Sequence, residues 1–300
     1  MKHWLQAFRL RTLPLALTSV GMGGFLAYYY DKFDLKIFIL SVSTTIFLQI
    51  LSNLANDYGD AVSGVDKERT GEARAVQSGA ITQKQMLRAI GIFVGLSLLS
   101  GLSLLYFAFF EANRPDAWQY FLTFLGLGLL AIVAAITYTI GKKPYGYIGL
   151  GDLSVLIFFG WVGVIGSFFL YAKFFRWDLL LPATACGLFA VAVLNINNIR
   201  DIESDRKAGK NSIPVRLGKE KAILYHYALL VLAFVSAFAY AMYHFVYWYQ
   251  FLFILIVPLL LRNAWAVKKL QGMKLDAYLK QMALTALVFV LSFGIGICLK

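Results

Sequence analysis

Two stretches of the sequence place amide and carboxylate side chains four residues apart. Asn56 and Asp60 have this spacing in the first stretch, and Asn197, Asp201 and Asp205 repeat it twice in the second. Residues four apart share one face of a helix, so each stretch can direct its oxygens one way. Carboxylate and amide oxygens are hard ligands of the kind that Mg²⁺ accepts, usually together with substrate phosphates. Each stretch therefore predicts a surface able to bind a divalent cation.

The two stretches are related by a repeat. An offset of 141 residues carries Asn56 onto Asn197 and Asp60 onto Asp201. This offset is close to half the chain, as expected when two related halves each supply one wall of a site. Each stretch also ends a long apolar run, where polar side chains are costly and are interpreted first as functional.

If the acidic residues of both stretches meet at one end of the helix bundle, cations must neutralise their charge. The aspartates concerned are Asp57, Asp60, Asp66, Asp201 and Asp205. Basic residues follow both stretches, namely Lys67, Arg69, Arg74, Arg200, Arg206, Lys207 and Lys210. Carboxylates, a metal ion and basic side chains together favour binding of a diphosphate. For the nearby glutamates we favour ordinary solvated loop charges.

A third polar segment runs from Tyr138 to Asp152. Its glycines and proline interrupt the helix, so it can fold over the end of the bundle. Lys142 has no nearby carboxylate and predicts an anionic partner, whereas Lys143 fits membrane anchoring. Asp152 either binds a second substrate or pairs with a loop lysine, and both readings stay open. The rings of Tyr58 and Tyr138 lie beside the polar motifs, where a π face can stabilise a developing cation.

The elements that must position these residues are membrane-spanning helices. The chain of 300 residues is 60% hydrophobic and only 15% charged, with a mean hydropathy of +0.69, which excludes an ordinary soluble domain. We predict a single all-α polytopic domain over 1–300 with nine spans in two related halves. The predicted spans are 13–30, 36–56, 86–110, 118–140, 147–171, 179–198, 222–246, 248–266 and 279–299. The polar break between the seventh and eighth lies at His244–Gln250.

Basic residues predict the orientation of the bundle. The N-terminus and the loops after the even-numbered spans hold 22 of the 28 Lys and Arg residues. By the positive-inside rule this group, with both acidic stretches, faces the cytoplasm, and the C-terminus lies on the opposite side. The same bias explains the net charge of +12 without a nucleic-acid partner. The loops near 57–85 and 199–221 are expected to cover the site, and Met1–Arg11 reads as an interfacial helix.

Cysteine and histidine chemistry is not indicated. Cys186 and Cys298 lie inside apolar runs, and the three histidines are scattered. These positions match no zinc or haem pattern.

The motifs resemble those of the UbiA-type intramembrane prenyltransferases over nearly the whole chain. The resemblance rests on the paired Asn–Asp stretches, the nine spans and the loop Tyr138-Thr…Lys142-Lys-Pro. Gly64 with Asp66, the second stretch through Lys210, and Gly149-Leu-Gly-Asp152 look like the menaquinone branch of that family. The resemblance implies Mg²⁺-dependent transfer of a polyprenyl group from its diphosphate to 1,4-dihydroxy-2-naphthoate. Carbon dioxide and diphosphate leave, and demethylmenaquinone forms.

The resemblance also implies roles for single residues. Mg²⁺ is expected at Asn56, Asp60, Asn197, Asp201 and Asp205, with Asp57 and Asp66 assisting. The diphosphate is expected at Lys67, Arg69, Arg74, Lys142 and Lys210. Tyr138, with Asp60, Asp201 and Asp205, is assigned to catalysis, and Asp152 to the acceptor. The enzyme is expected in a bacterial-type inner membrane. The long prenyl tail of its donor substrate is expected to lie between helices, in a space that opens to lipid.

Two other interpretations remain. The acceptor can be another aromatic molecule, such as 4-hydroxybenzoate, and a side-by-side assay separates the two. A secondary transporter is disfavoured because its acids are expected near the midplane on broken helices, whereas both stretches here end at one membrane face with nothing matching them across the bilayer. No obligate protein partner is inferred.

Overall fold

The computed structural model of the chain describes residues 2–63, 75–111 and 115–299. Eight helices in these ranges are long and apolar enough to cross a membrane, and the 17-residue apolar helix Leu13–Tyr29 is shorter. These nine segments confirm the predicted all-α polytopic fold. The predicted polar break is also confirmed, because one helix ends at Tyr243 and the next begins at Trp248.

Thirteen α-helical segments are found in the described ranges, together with short 3₁₀ turns and one π-helical stretch. They are α1 (Lys2–Phe8), α2 (Leu13–Tyr29), α3 (Leu35–Ser63), α4 (Gln83–Phe109), α5 (Ala117–Thr137), α6 (Gly151–Val155), α7 (Ser167–Ala172), α8 (Leu180–Arg200), α9 (Ile202–Lys207), α10 (Ile213–Leu217), α11 (Lys219–Tyr243), α12 (Val257–Lys269) and α13 (Asp276–Cys298). The π-helix Leu156–Gly166 joins α6 to α7 within one continuous span.

Helix α8 is the centre of the bundle. Its span is 72% buried, more than any other span in the described ranges, and it packs on α2, α11, α13 and the π-helix. Small residues permit this packing, since a Cβ on Gly187 would lie 3.0 Å from the Cα of Gly160. The central helix therefore carries the second polar stretch to the end of the bundle on a well-supported backbone.

The π-helix departs from the uniform helix that hydropathy predicts. Ser19 of α2 donates a hydrogen bond from its Oγ to the carbonyl oxygen of Phe159, 2.5 Å away. A π turn alters the regular hydrogen-bond ladder, and polar side chains of neighbouring helices satisfy the groups that it releases. The apolar composition of this segment does not by itself predict a π-helix.

Both polar stretches are helical for longer than expected, and the second is bent. Helix α3 continues to Ser63, beyond the predicted end of its span at 56, so Asn56 and Asp60 share a helical face as predicted. The second stretch does not form one helix, because Asp201 ends α8 with φ −99° and ψ 12°, and Asp205 lies on α9. Backbone hydrogen bonds from Asp201 N to Asn197 O (3.1 Å) and from Asp205 N to Asp201 O (2.8 Å) keep the four-residue spacing through the bend.

A charged cluster of one acid and two basic groups lies at the end of the bundle opposite the two acidic stretches. Arg176 Nε lies 3.0 Å from one oxygen of Asp178, and His244 Nε2 lies 2.7 Å from the other. The cluster joins the start of the α8 span to the end of α11. Its single carboxylate, that of Asp178, is paired with two basic groups. We therefore interpret the cluster as a structural contact between the start of the α8 span and the end of α11.

Candidate active site

Helix α3 presents its polar face to the segment that follows α5. The hydroxyl of Thr139 lies 3.1 Å from both Asn56 Oδ1 and the carbonyl oxygen of Ala55. Gly59 makes this approach possible, because a Cβ at that position would lie 2.7 Å from the carbonyl oxygen of Thr139. The first polar stretch is thus packed directly against the predicted loop.

Tyr147 links the two halves of the repeat. Its hydroxyl donates a 2.6 Å hydrogen bond to Asp60 Oδ1, and Asp60 is only 2% exposed. Lys210 Nζ lies 5.1 Å from the centre of the Tyr147 ring and 3.6 Å from Asp205 Oδ1. Asp60 of the first stretch and Asp205 of the second are therefore separated by one tyrosine and one lysine.

The loop is held closed by the segment that follows α9. Asn211 N donates a 2.7 Å hydrogen bond to the carbonyl oxygen of Tyr147, and Arg216 Nη2 donates one of 2.5 Å to that of Ile148. Gly149 has φ 82°, in the left-handed region that favours glycine. The segment from Tyr138 to Asp152, predicted to fold over the end of the bundle, is therefore bound to one of the two loops predicted to cover the site, 199–221, through the backbone carbonyls of Tyr147 and Ile148.

Arg200 engages the two predicted ligands at the end of α8. Its Nε and Nη2 lie 2.7 and 2.6 Å from the two carboxylate oxygens of Asp201. Nη2 also lies 2.8 Å from Asn197 Oδ1, and Nη1 lies 2.5 Å from Asp276 Oδ1 at the start of α13. The predicted metal ligands thus form two groups, one around Tyr147 and one around Arg200, joined by the single helical turn from Asp201 to Asp205.

Asp57 is turned toward backbone groups. Its two carboxylate oxygens accept hydrogen bonds from Ala75 N and Val76 N at 3.1 and 3.2 Å, and the residue is 2% exposed. These contacts hold the backbone at Ala75 and Val76 against α3. The predicted assisting role of Asp57 at the metal stays a prediction, and its structural contacts anchor this turn to α3.

Tyr138 and Asp152 lie on the inner side of the loop. A Cβ on Gly146 would lie 2.8 Å from the Tyr138 ring, and one on Gly151 the same distance from its hydroxyl oxygen. Burial, and then the negative charges of the Asp152, Asp60 and Asp205 carboxylates, raise the pKa of the Tyr138 phenol, so it stays neutral at physiological pH. One ring therefore senses carboxylates from both halves of the repeat.

Asp152 has a defined partner. It is 8% exposed and accepts a 2.9 Å hydrogen bond from Tyr225 Oη of α11. This contact replaces the alternative in which Asp152 pairs with a loop lysine. Tyr225 was not singled out from the sequence, because it lies in an apolar run without a motif.

Several predicted site residues are not among those that the structure brings together, or they fall outside the described residues. Asp66, Lys67, Arg69 and Arg74 fall outside the described residues, while Lys142 is exposed to solvent. Tyr147, Tyr225 and Asp276 were not predicted as site residues, and Arg200 was named only among the basic residues that favour diphosphate binding. For Tyr147 a signal existed, since it belongs to the polar segment from Tyr138 to Asp152.

The donor set fits a hard divalent cation. Asn56, Asp60, Asn197, Asp201 and Asp205 offer only oxygen atoms, the ligands that Mg²⁺ prefers. Within the described ranges no three His, Cys, Asp or Glu residues group closely enough to hold a metal by themselves. Two of the five donors are amides and several carboxylates contact Arg200 or Lys210, so the residues fit an ion that shares its coordination with a substrate.

Comparisons with known proteins agree on one family. Residues 16–295 match the family described as the UbiA prenyltransferase family. A "1,4-dihydroxy-2-naphthoate octaprenyltransferase" of Escherichia coli (strain K12) is 47% identical over 299 residues, covering 99% of this chain and 95% of that protein. A protein of Haemophilus influenzae with the same name is 45% identical over 301 residues, covering 99% and 96%.

Solved structures show the same fold at low identity. A UbiA homolog from Aeropyrum pernix K1 superposes with a TM-score of 0.69 at 19% identity, with 97% of each chain covered. A UbiA homolog from Archaeoglobus fulgidus bound to GPP and Mg²⁺ gives a TM-score of 0.65 at 16% identity, with 99% of each chain covered. The arrangement of helices is therefore shared with proteins whose sequences are far apart.

Proposed function

We propose a function from the premise that the chain belongs to the UbiA prenyltransferase family. The protein is an aromatic prenyltransferase of the multi-pass membrane type, and it transfers a polyprenyl group from polyprenyl diphosphate to 1,4-dihydroxy-2-naphthoate. Carbon dioxide and diphosphate are released in this step of menaquinone synthesis and the ring keeps both hydroxyls, so the immediate product is the quinol, demethylmenaquinol; air oxidises it to demethylmenaquinone, the form that the assays below detect. The observation in the molecule that supports this most is the link from Asp60 through Tyr147 and Lys210 to Asp205.

Mg²⁺ is the cofactor in this proposal. Asn56, Asp60, Asn197, Asp201 and Asp205 would hold it, with the diphosphate completing its coordination. When bound, the ion supplies positive charge that neutralises the leaving diphosphate. The metal-bound relative from Archaeoglobus fulgidus supports a divalent ion, and the all-oxygen donor set favours Mg²⁺.

The chain's own residues bind and enclose the donor. Lys210, held between the Tyr147 ring and Asp205, is placed to give its ammonium hydrogens to the diphosphate. The closed loop around Tyr147 excludes water from the breaking bond, which keeps the prenyl cation from being hydrolysed. The neutral ring of Tyr138 offers a π face to that cation until the naphthoate ring attacks.

The apolar tail needs a separate surface. An apolar groove of about 690 Å³ lies between α2, α3 and α13, with Val20, Phe25, Val42 and Val290 among its lining residues. A volume of this size is typical of ligand sites. The lining of the groove includes Tyr28, Phe33 and Leu299 and, in the described part of the chain, none of the predicted metal or diphosphate residues, so the groove lies toward the other end of the bundle. The groove therefore supports an interhelical surface, open to lipid, for the part of the tail that lies far from the diphosphate.

Asp152 orients the acceptor in this proposal. Its carboxylate accepts a hydrogen bond from a ring hydroxyl, while Tyr225 holds it from the other side. A dihydroxynaphthoate offers such a donor. The 4-hydroxybenzoate alternative offers one too, so the acceptor must be identified by assay.

The test of the function is an acceptor comparison. Purified protein in lipid nanodiscs receives Mg²⁺, a polyprenyl diphosphate and either 1,4-dihydroxy-2-naphthoate or 4-hydroxybenzoate. We expect demethylmenaquinone from the first acceptor and little prenylated product from the second, with loss of turnover when EDTA removes the metal. A faster reaction with 4-hydroxybenzoate would contradict the assignment.

Asp152→Asn is expected to raise the KM for the aromatic acceptor about tenfold or more, because a hydrogen bond to a charged group contributes about 1.5–3 kcal/mol. Tyr225→Phe is expected to have a smaller effect of the same kind, since it only frees the Asp152 carboxylate. Steady-state kinetics with each substrate varied in turn measure both changes. The KM for the diphosphate donor should stay constant, and an increase there instead would place Asp152 in the donor site.

Tyr227→Phe is the matched control for Tyr225→Phe. It makes the same substitution two residues along α11, and within the described part of the chain the one hydrogen bond of the Tyr227 hydroxyl is to the carbonyl oxygen of Ala264, at 3.4 Å. Both kinetic constants for the acceptor should be those of the unmodified protein.

Gly59→Ala is expected to lower kcat/KM at least tenfold. The added methyl group would lie 2.7 Å from both oxygens of Thr139, one of which belongs to the backbone, so the loop must move away from α3. Overpacking of this kind also costs about 1–3 kcal/mol of stability. Gly95→Ala on α4 is the control, because apart from its chain neighbours and the backbone of α4 itself no described atom lies within 4 Å of its added methyl group. Full activity of Gly59→Ala would show that the loop contact is dispensable.

The orientation in the membrane completes the proposal. We place the N-terminus and the active site in the cytoplasm of a bacterial-type cell and the C-terminus across its inner membrane. The basic residues beside the polar stretches support this orientation. Single cysteines introduced at Lys143 and at Lys32, in a Cys-free background, should react with an impermeant maleimide from opposite sides of oriented vesicles. Labelling of both from one side would overturn the orientation.

A further inference from the structure

Arg200 is a buried cation that no step of the proposed reaction uses. Its side chain is 5% exposed, although it lies beside the predicted metal ligands. It contacts four acceptor oxygens on three residues: both oxygens of Asp201, Oδ1 of Asn197 and Oδ1 of Asp276. A guanidinium in such a place either blocks the metal ligands or orients them.

The geometry of the contacts favours orientation. Nε and Nη2 meet the two oxygens of Asp201 side by side, which occupies one lone pair on each oxygen. A carboxylate has about four acceptor positions and an amide oxygen has two, so the guanidinium itself occupies about half of the acceptor positions of Asp201 and of Asn197. Arg200 therefore fixes the orientation of these two predicted ligands without filling either of them.

Asp276 keeps the guanidinium in this position. It is the first residue of α13, where the helix dipole favours a carboxylate, and its side chain is 25% exposed. If Arg200 left to release Asp201, two partly buried carboxylates would lose their common cation, and such a loss is strongly destabilising. Arg200, Asp201 and Asp276 together carry a net negative charge. The presence of Arg200 therefore does not prevent this group of side chains from attracting a metal cation.

We propose that Arg200 and Asp276 are positioning residues that hold Asn197 and Asp201 in the arrangement that receives the divalent cation. Partners of metal ligands have this effect in many proteins, and their removal typically weakens metal binding ten- to a hundredfold. The inference rests on the proposed metal role of Asn197 and Asp201. It adds a residue of α13, 76 positions from Arg200, to the determinants of metal affinity.

The experiment measures metal binding without turnover. Purified protein is titrated with Mn²⁺ in the presence of inorganic pyrophosphate, and free Mn²⁺ is followed by electron paramagnetic resonance. Arg200→Lys keeps the charge but lacks the fork, and we expect its Mn²⁺ affinity to fall ten- to a hundredfold. Asp276→Asn keeps an acceptor but lacks the charge, and we expect a smaller loss. If Arg200→Lys does not fold, Asp276→Asn carries the same test.

Arg176→Lys is the matched control. Arg176 makes the same side-by-side contact with Asp178 in the charged cluster at the other end of the bundle. The Arg176 side chain is 40% exposed and that of Arg200 only 5%, so Arg176→Lys should lower thermal stability less than Arg200→Lys does, and it should leave Mn²⁺ affinity unchanged.

Each result decides between the readings. Tighter Mn²⁺ binding by Arg200→Lys would show that Arg200 competes with the metal, and unchanged binding would show that it has no part in the site; either overturns the inference alone. Failure of the unmodified protein to bind Mn²⁺ would instead overturn the metal assignment in the proposed function, and this inference with it.

Discussion

Asp60→Asn is expected to reduce turnover about a thousandfold while the protein remains folded. The substitution preserves the size of the side chain and an oxygen that can accept the 2.6 Å hydrogen bond from Tyr147. It removes only the negative charge that the proposed metal site requires. Removal of one group that stabilises developing charge typically costs about a hundred- to a thousandfold in rate.

The control for Asp60→Asn lies just before the start of the same helix. Asp34 precedes α3, and its Oδ1 accepts hydrogen bonds from Lys36 N at 2.8 Å and Ile37 N at 3.1 Å. Asparagine stabilises a helix N-terminus about as well as aspartate, so Asp34→Asn should leave turnover and thermal stability near those of the unmodified protein. Turnover is measured as demethylmenaquinone formed per enzyme with saturating Mg²⁺. A fully active Asp60→Asn protein would remove Asp60 from the site.

Lys210→Met is expected to lower kcat/KM for the polyprenyl diphosphate by about a hundredfold. The ammonium group is the described cation that contacts both Asp205 and the Tyr147 ring, and its side chain is 14% exposed. A hydrogen bond to a charged group contributes about 1.5–3 kcal/mol, and a diphosphate accepts more than one. Binding of inorganic pyrophosphate with Mg²⁺, followed by calorimetry, should weaken in parallel.

Lys143→Met tests whether any nearby lysine has this effect. Lys143 is exposed on the same loop-bearing end of the bundle, and its sequence context fits membrane anchoring. We expect its kinetic constants to be unchanged. If the two lysine variants lose activity equally, the general positive potential of this end matters more than the position of Lys210.

Hydropathy was sufficient for the arrangement of spans. A bilayer requires about 20 apolar residues per helix and satisfies no backbone group, so the lengths and polar breaks of the apolar runs predict the helices directly. The break between Tyr243 and Trp248 illustrates this, since seven residues with a histidine and a glutamine were enough to predict it. Motif spacing also predicted that Asn56 and Asp60 share a face of one helix, because that relation depends only on the helical period.

The predicted site was less complete, because several of its contacts join distant parts of the chain. Tyr147 reaches Asp60 across 87 positions, and Tyr225 reaches Asp152 across 73. Tyrosines are common in membrane helices as packing and interface residues, so their sequence positions gave no reason to prefer these two. Asp57 shows the opposite case. Its residue type and its place in the first polar stretch predict a metal ligand, whereas its two carboxylate oxygens accept hydrogen bonds from the backbone N–H groups of Ala75 and Val76.

The sequence by itself determined the class of protein, the spans and the repeated carboxylate and amide donors, because the bilayer and the helical period act on local composition. Tertiary structure alone decided that the chain bends at Asp201 and that Tyr147 and Lys210 stand between Asp60 and Asp205. It also decided that Arg200 is shared with Asp276. These features follow from how close two backbones come, as at Gly59 and Thr139, and such an approach depends on the packing of the whole bundle.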